Sequence, residues 1–183
     1  RTGAHDAGRV AERMALIDEA KAQGVDVTAE LYPYPTGSTF LASSIPSYAH
    51  EGGPDAIVDR LRDPVERARV AAGLEDKARL PIDEMVLGYL HKNSQFEGMA
   101  LPHVADRLGM GLAEAVCHLL ADEDLRIVVW GSPPDSVAAW EQTGRDVLDF
   151  LARPDYMVGS DSIHVGSWPH PRAYGTFPRL LGR

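Results

Sequence analysis

The sequence predicts an α/β fold, and three features carry that prediction. Apolar residues recur at helical spacing between positions 10 and 17. Apolar and polar residues then alternate over positions 25–32, which is the pattern of a strand. A second short apolar run at 156–159 stops at the acid Asp161 among small residues.

Composition limits the kinds of partner that the chain can have. The 183 residues are 44% hydrophobic and 25% charged, which is ordinary for a globular domain with its own core. A formal net charge of -9 repels nucleic-acid phosphates and anionic membranes, so neither partner is expected. One cysteine excludes an internal disulfide framework and fits a cytoplasmic location. No apolar run is long enough to span a bilayer.

The first predicted helix begins behind an Asp6 cap, and Gly24 follows its last turn. The strand after it ends at Pro33 and Pro35. Residues 36–98 are too many for a plain loop and predict a small inserted subdomain. Two prolines there, Pro54 and Pro64, suit the first turns of helices.

Residues 99–183 predict further helices and two strands. The helices are predicted at 101–108, at 112–120, from Pro133 or Pro134 behind a Ser132 cap, and at 146–151; the strands are predicted at 125–130 and 156–159.

The last strand carries the residues best suited to chemistry. Asp161 follows that strand, and Arg172 lies eleven residues later in a His-Pro-Arg sequence. A carboxylate at the end of a strand with a guanidinium on the next loop is how barrel enzymes present a proton carrier and an anion clamp. From the residues alone, Asp161 is equally well interpreted as an aspartate that caps the following turn. Arg172 is better interpreted, on the same basis, as a surface arginine.

Two collinear motifs resemble a known family. They are Gly159-Ser-Asp161-Ser with His170-Pro-Arg172-Ala-Tyr-Gly, and Glu30-Leu-Tyr32-Pro-Tyr34-Pro-Thr-Gly37-Ser38-Thr. The chain resembles the C-terminal part of the N-acyl-D-amino-acid deacylases, or D-aminoacylases, of the metal-dependent amidohydrolase superfamily. A weaker third match covers residues 45–53.

The resemblance implies the fold and its division. It implies the C-terminal portion of a (β/α)8 TIM-type barrel with an inserted subdomain over the barrel mouth. Residues 1–35 would supply a barrel helix and strand, residues 36–98 the inserted subdomain, and residues 99–183 the final barrel helices and last strand. The start at Arg1 and the end at Arg183 then predict a fragment of a larger barrel. The alternative is an independent small α/β domain.

The resemblance also implies the roles of site residues. Asp161 would be the catalytic proton carrier and would approach a metal. Arg172 would bind the substrate carboxylate, with Tyr32 and Ser38 in the same substrate site. The plainer interpretations are a core tyrosine for Tyr32 and a turn residue for Ser38.

The implied cofactor is zinc, with its ligands mainly outside this chain. No His-x-His or His-Glu-x-x-His occurs, and the spacing of His164 and His170 favours loop or supporting roles. Cys117 lies on an apolar helix and is expected to be buried and inert. The chain by itself is therefore expected to bind no metal tightly and to be inactive.

The implied function is hydrolysis of the amide bond of N-acyl-D-amino acids by the parent enzyme. The small-molecule N-acyl amino acid is the expected partner, and unpaired strand edges make a homo-oligomer a further expectation. The alternatives are a cyclic-amide hydrolase such as a hydantoinase or dihydroorotase, and a non-catalytic binding or assembly module. Deacylases and cyclic-amide hydrolases share the aspartate of the last strand, so Asp161 does not distinguish them. The Tyr-Pro-Tyr and His-Pro-Arg motifs favour the deacylase.

Overall fold

The computed structural model describes residues 7–77, 81–132 and 136–182. In chain order the elements are α1 (Val10–Ala22), β1 (Ala29–Leu31), β2 (Ser38–Phe40), α2 (Pro54–Arg62), α3 (Pro64–Lys77), β3 (Met85–Leu90), α4 (Leu101–Leu108), α5 (Leu112–Asp122), β4 (Ile127–Gly131), α6 (Val137–Leu151), β5 (Tyr156–Val158) and α7 (Arg172–Leu181). Within these ranges no helix is both long and apolar enough to cross a membrane.

The chain folds as two compact units. Unit 1 contains the described parts of Arg1–Gly37, Pro133–Ile163 and His170–Arg183, and unit 2 contains Ser38–Ser132 and His164–Pro169. One compact unit thus includes all of residues 38–132. The division into barrel segments and an inserted subdomain, with boundaries after residues 35 and 98, remains a prediction.

Unit 1 is built on a parallel pair of short strands. β1 pairs with β5 so that Leu31 lies opposite Val158. The helix α6 packs against both strands, and α1 packs on α6. The pattern at 10–17 correctly predicts α1, whose predicted cap Asp6 lies outside the described residues. β1 is shorter than the alternating pattern because its pairing with β5 covers Ala29–Leu31 alone, just before Pro33.

The helix α6 differs from its prediction. One continuous helix replaces the two predicted segments, and Gly144 lies within it without breaking it. Its N-cap is Ser136, whose hydroxyl accepts from the Ala139 N–H at 3.3 Å. Ser132, the predicted cap, instead follows β4, where its N–H donates to the Glu84 carbonyl at 2.7 Å.

Unit 2 packs helices against a three-stranded antiparallel sheet of order β2-β4-β3. The strand β3 was not predicted from the sequence. Its register against β4 shifts between Leu87 and Tyr89, which places Gly88 at an irregularity of the ladder. A Cβ at Gly88 would lie 3.0 Å from the Trp130 ring, so a larger residue would crowd this bulge.

The core of unit 2 is continuous and apolar. The helix α5 is buried over most of its length because α2, α3 and α4 all pack on it. Cys117 lies in this core, where burial raises the pKa of its thiol to about 12. The predicted buried cysteine is thus confirmed, and a thiol with so high a pKa is unreactive at neutral pH.

The buried Glu123 carboxylate binds the backbone just after β3. The Glu123 side chain is fully buried and accepts from the Lys92 N–H at 2.6 Å and the Asn93 N–H at 2.9 Å. The Asn93 side-chain amide adds a third donor at 2.6 Å. Both backbone donors would lose their partner if this carboxylate were removed.

Glu123→Ala is therefore expected to lower the free energy of unfolding by about 2–3 kcal/mol, since it removes a buried, charged acceptor from two backbone N–H groups. Urea unfolding followed by circular dichroism measures the change. The control is Glu114→Ala on α5, where the side chain is exposed and the expected change is below about 1 kcal/mol. Equal losses for the two variants would contradict the structural role of Glu123.

Candidate active site

Asp161 follows the C-terminal end of β5, as the sequence predicts. The chain passes from Val158 through Gly159 and Ser160 to Asp161, whose φ is +44°. A residue other than glycine rarely adopts this left-handed conformation, and such strain often marks a functional site. Gly159 lies close to the Glu30 side chain, since a Cβ at this position would overlap the carboxylate unless that side chain moved. The Asp161 side chain is 73% exposed, so its carboxylate is open to solvent.

Arg172 lies against Asp161 and Tyr32. Its Nη2 is 3.1 Å from Asp161 Oδ2, and its guanidinium carbon is 4.5 Å from the centre of the Tyr32 ring. The arginine is only 1% exposed. The prediction of a loop position is wrong, because Arg172 is the first residue of α7. The plainer interpretation of a surface arginine is wrong as well.

Tyr32 comes directly after β1 and reaches the same place. Parallel strands end at the same edge, so the residues that follow β1 and β5 are neighbours. The tyrosine hydroxyl passes close to Gly37, where a Cβ would lie only 2.7 Å from it. Gly37 therefore leaves room for the hydroxyl. Tyr32, Asp161 and Arg172 form one cluster in unit 1.

Ser38 and His164 belong to unit 2. Ser38 is the first residue of β2, opposite Trp130 of β4, and is half-buried. It is thus a strand residue rather than the turn residue of the plainer interpretation. Its predicted substrate role remains a prediction.

His170 contacts the backbone of Arg172. The sequence predicts only a loop or supporting role for this histidine. Its ring is 4% exposed; its Nδ1 accepts from the Arg172 N–H at 3.1 Å, and its Nε2 lies 2.9 Å from Thr36 Oγ1. Burial, with a smaller contribution from the Arg172 charge, lowers the pKa of His170 to about 4. The ring is therefore neutral at neutral pH. The His-Pro-Arg triplet was the only sequence signal for it.

The described residues do not fit a metal ion by themselves. Zinc needs about four ligands in proteins, three of them from side chains at a catalytic site. Across residues 7–77, 81–132 and 136–182, no group of three or more histidine, cysteine, aspartate or glutamate side chains could hold a metal. Asp161 contributes a single carboxylate, which is paired with Arg172.

A cavity of about 520 Å³ lies elsewhere in unit 1. It is lined by residues of α6 and α7 and by Pro33 and Pro35, and its lining includes none of Tyr32, Asp161 or Arg172. Its walls are mainly apolar side chains such as Val147 and Leu148. The candidate site is therefore the ion-paired cluster and not this cavity.

His170 predicts a measurable pH dependence of stability. Its pKa is about 4 in the folded chain and about 6.5 when unfolded, so the unfolded state binds more protons between these values. The free energy of unfolding should fall by up to about 3 kcal/mol as pH drops from about 6.5 to 4. His170→Asn should remove this part of the slope, as urea titrations at several pH values would measure. The exposed control His50→Asn should keep it; an unchanged slope in His170→Asn would contradict the assignment.

Two curated proteins and two solved structures are similar to this chain, whereas no family model matches it. An N-acyl-D-glutamate deacylase of Alcaligenes xylosoxydans xylosoxydans is 27% identical over 176 residues, which is 96% of this chain and 27% of that protein. A D-aminoacylase of the same organism is 27% identical over 175 residues, covering 96% of this chain and 26% of the relative. The chain thus spans about a quarter of the length of these relatives.

The solved structures agree. The N-acyl-D-glutamate deacylase of Bordetella bronchiseptica, complexed with zinc and a phosphonate mimic of the tetrahedral intermediate, has a TM-score of 0.59 and 25% identity over 95% of this chain and 27% of its own. A D-aminoacylase structure described as defining a novel subset of amidohydrolases has a TM-score of 0.60 and 26% identity, over 98% of this chain and 28% of that one. These comparisons confirm the resemblance found in the motifs: the chain is similar over nearly all of its length to the N-acyl-D-amino-acid deacylases of the amidohydrolase family.

Proposed function

We propose that this chain forms part of a (β/α)8-barrel deacylase that hydrolyses the amide bond of N-acyl-D-amino acids. The observation that carries the proposal is the cluster of Asp161, Arg172 and Tyr32 at the ends of two parallel strands. In this cluster, Asp161 would be the proton carrier and Arg172 the anion-binding group, in a chain that is similar to deacylases. Zinc, held by ligands from outside the described residues, would supply Lewis-acid activation in such an enzyme.

The larger barrel is supported by the incomplete burial of unit 1. Parallel sheets are normally covered on both faces, and two strands alone are marginally stable. Yet among the residues that the structure describes, β1 and β5 pair only with each other, and Met157 in β5 is 54% exposed. Further strands and helices would cover this sheet in a complete barrel.

Asp161 is proposed to move the proton. Its exposed carboxylate would accept a proton from the attacking water and then deliver it to the leaving nitrogen of the amino acid. The left-handed backbone at Asp161 fixes where the side chain leaves the strand end. The pairing with Arg172 restricts the carboxylate further.

Arg172 is proposed to hold the free carboxylate of the substrate. A guanidinium has five N–H donors and binds carboxylates in a two-pronged geometry, so it can hold a substrate beside Asp161. Tyr32 lies under its face and adds a hydroxyl. A carboxylate bound in this way places the acyl amide relative to Asp161.

Asp161→Asn keeps the shape of the side chain and removes the proton carrier. In the complete enzyme, kcat for N-acetyl-D-methionine is expected to fall by about 10²- to 10⁴-fold. The matched control is Asp26→Asn, at an exposed position in unit 1, with kcat within about twofold of the parent. Near-normal turnover in Asp161→Asn would refute the proton-carrier role.

Arg172→Ala tests the carboxylate clamp. Because a charge-assisted hydrogen bond contributes roughly 1.5–3 kcal/mol, kcat/KM for N-acetyl-D-methionine should fall about 10- to 200-fold. The loss should nearly vanish for N-acetyl-3-(methylthio)propylamine, which lacks the carboxylate. Arg172→Lys keeps the charge without the two-pronged geometry and should show the same discrimination.

The two substrates also separate a clamp from a structural arginine. Arg172 is buried, so its loss could lower the amount of folded enzyme; that effect would reduce activity on both substrates equally. Equal losses on the two substrates in Arg172→Ala and Arg172→Lys would mean that Arg172 does not bind the substrate carboxylate, and Arg172 would then no longer favour a deacylase over a cyclic-amide hydrolase.

A further inference from the structure

A buried histidine joins the loop after β1 to the start of α7. His170 accepts from the Arg172 N–H through Nδ1 at 3.1 Å, so in the neutral ring the proton lies on Nε2. That nitrogen faces Thr36 Oγ1 at 2.9 Å and donates to it. The hydrogen-bond pattern thus assigns one tautomer.

The start of α7 needs such a partner. The first N–H groups of a helix have no acceptor within the helix, and they are commonly satisfied by the side chain of the N-cap residue. Here the N-cap is Pro171, which has no such side chain and makes no side-chain cap hydrogen bond. The His170 ring takes that place for Arg172, and it thereby holds the backbone from which the guanidinium extends.

The histidine itself is held by aromatic packing. The Tyr34 ring meets it edge-on at 5.7 Å between centroids, and the Tyr32 ring lies 6.5 Å away. Tyr34 in turn lies tightly against α7, because a Cβ at Gly175 would overlap its hydroxyl. A shift of the His170 ring would therefore disturb both the loop and the helix.

We propose that His170 and Thr36 are positioning residues, which hold the first turn of α7 so that the Arg172 guanidinium stays over Tyr32 and beside Asp161. The inference rests on the proposed function, since it assigns these residues to the alignment of the carboxylate clamp. His170 takes no part in proton transfer. Its depressed pKa agrees with this role, because an uncharged ring accepts from the Arg172 N–H throughout the neutral range.

Thr36→Val tests the role by removing one hydroxyl at nearly constant shape. In the complete enzyme, KM for N-acetyl-D-methionine should rise about 3- to 10-fold, the effect of one lost hydrogen bond, while kcat changes less than about twofold. Kinetics on N-acetyl-3-(methylthio)propylamine should change less than about twofold. Thr36→Ser restores the hydroxyl and should return KM to within about twofold. A merely structural threonine would instead affect both substrates alike.

The tautomer gives a second test that does not depend on turnover. Nitrogen NMR of the complete enzyme labelled with ¹⁵N-histidine, with the His170 signals assigned by their loss in His170→Asn, should show a protonated Nε2 and an unprotonated Nδ1 at pH 7. A proton on Nδ1, or an imidazolium, would overturn the inference.

The kinetic outcomes separate this inference from the proposed function. If Arg172→Ala discriminates between the two substrates and Thr36→Val does not, the positioning role is wrong and the clamp stands. If Arg172→Ala does not discriminate, the clamp is wrong, and the role proposed for His170 and Thr36 is refuted with it.

Discussion

The parallel pairing of β1 with β5 is the constraint on which the candidate site depends. Leu31 lies opposite Val158, so both strands end at the same edge, and the residues that follow them enter the same space. Tyr32 comes from one strand end and Asp161 from the other, although they are far apart in the sequence. Arg172 joins them because the chain returns from β5 into α7 next to the same edge. Strand pairing thus brings these residues together, and the conformation of the loops sets their final side-chain positions.

The buried Arg172 guanidinium requires neighbours that can stabilise its positive charge. A charged group buried away from water is strongly disfavoured unless it is paired, and breaking such a pair leaves an uncompensated charge. Asp161 supplies the opposite charge, and the face of the Tyr32 ring supplies a favourable cation–π contact. Since Asp161 is mostly exposed while Arg172 is not, the carboxylate is the solvent-facing member of the pair. The exposure of Asp161 agrees with the proton-carrier role proposed for it.

Sequence patterns predicted those features that depend on local periodicity, and they failed where tertiary packing decides. The helices α1, α4 and α5 follow from apolar spacing, and Asp161 follows from the end of an apolar run. The strand β3 was missed because its bulge at Gly88 interrupts a simple alternation. Arg172 was predicted on a loop because prolines surround it, yet Pro171 is the N-cap of α7. The contact of His170 with Thr36 joins residues 134 positions apart, and local patterns do not encode such a pair.

The two units differ in how many apolar side chains they bury, and the candidate site lies in the unit that buries fewer. Unit 2 has a continuous apolar core, whereas unit 1 buries few apolar side chains and leaves Leu148 and Met157 more than half exposed. Several charged side chains make specific contacts in unit 1. Arg153 and Lys21 both bind Asp155 directly before β5, at 2.8 and 2.6 Å, and Arg153, followed by Lys21, lowers the pKa of that carboxyl. A unit held by directional polar contacts fixes side-chain positions well but is sensitive to the loss of any one partner. The cluster of Tyr32, Asp161 and Arg172 is held by contacts of this kind, since an ion pair and a cation–π contact join its members.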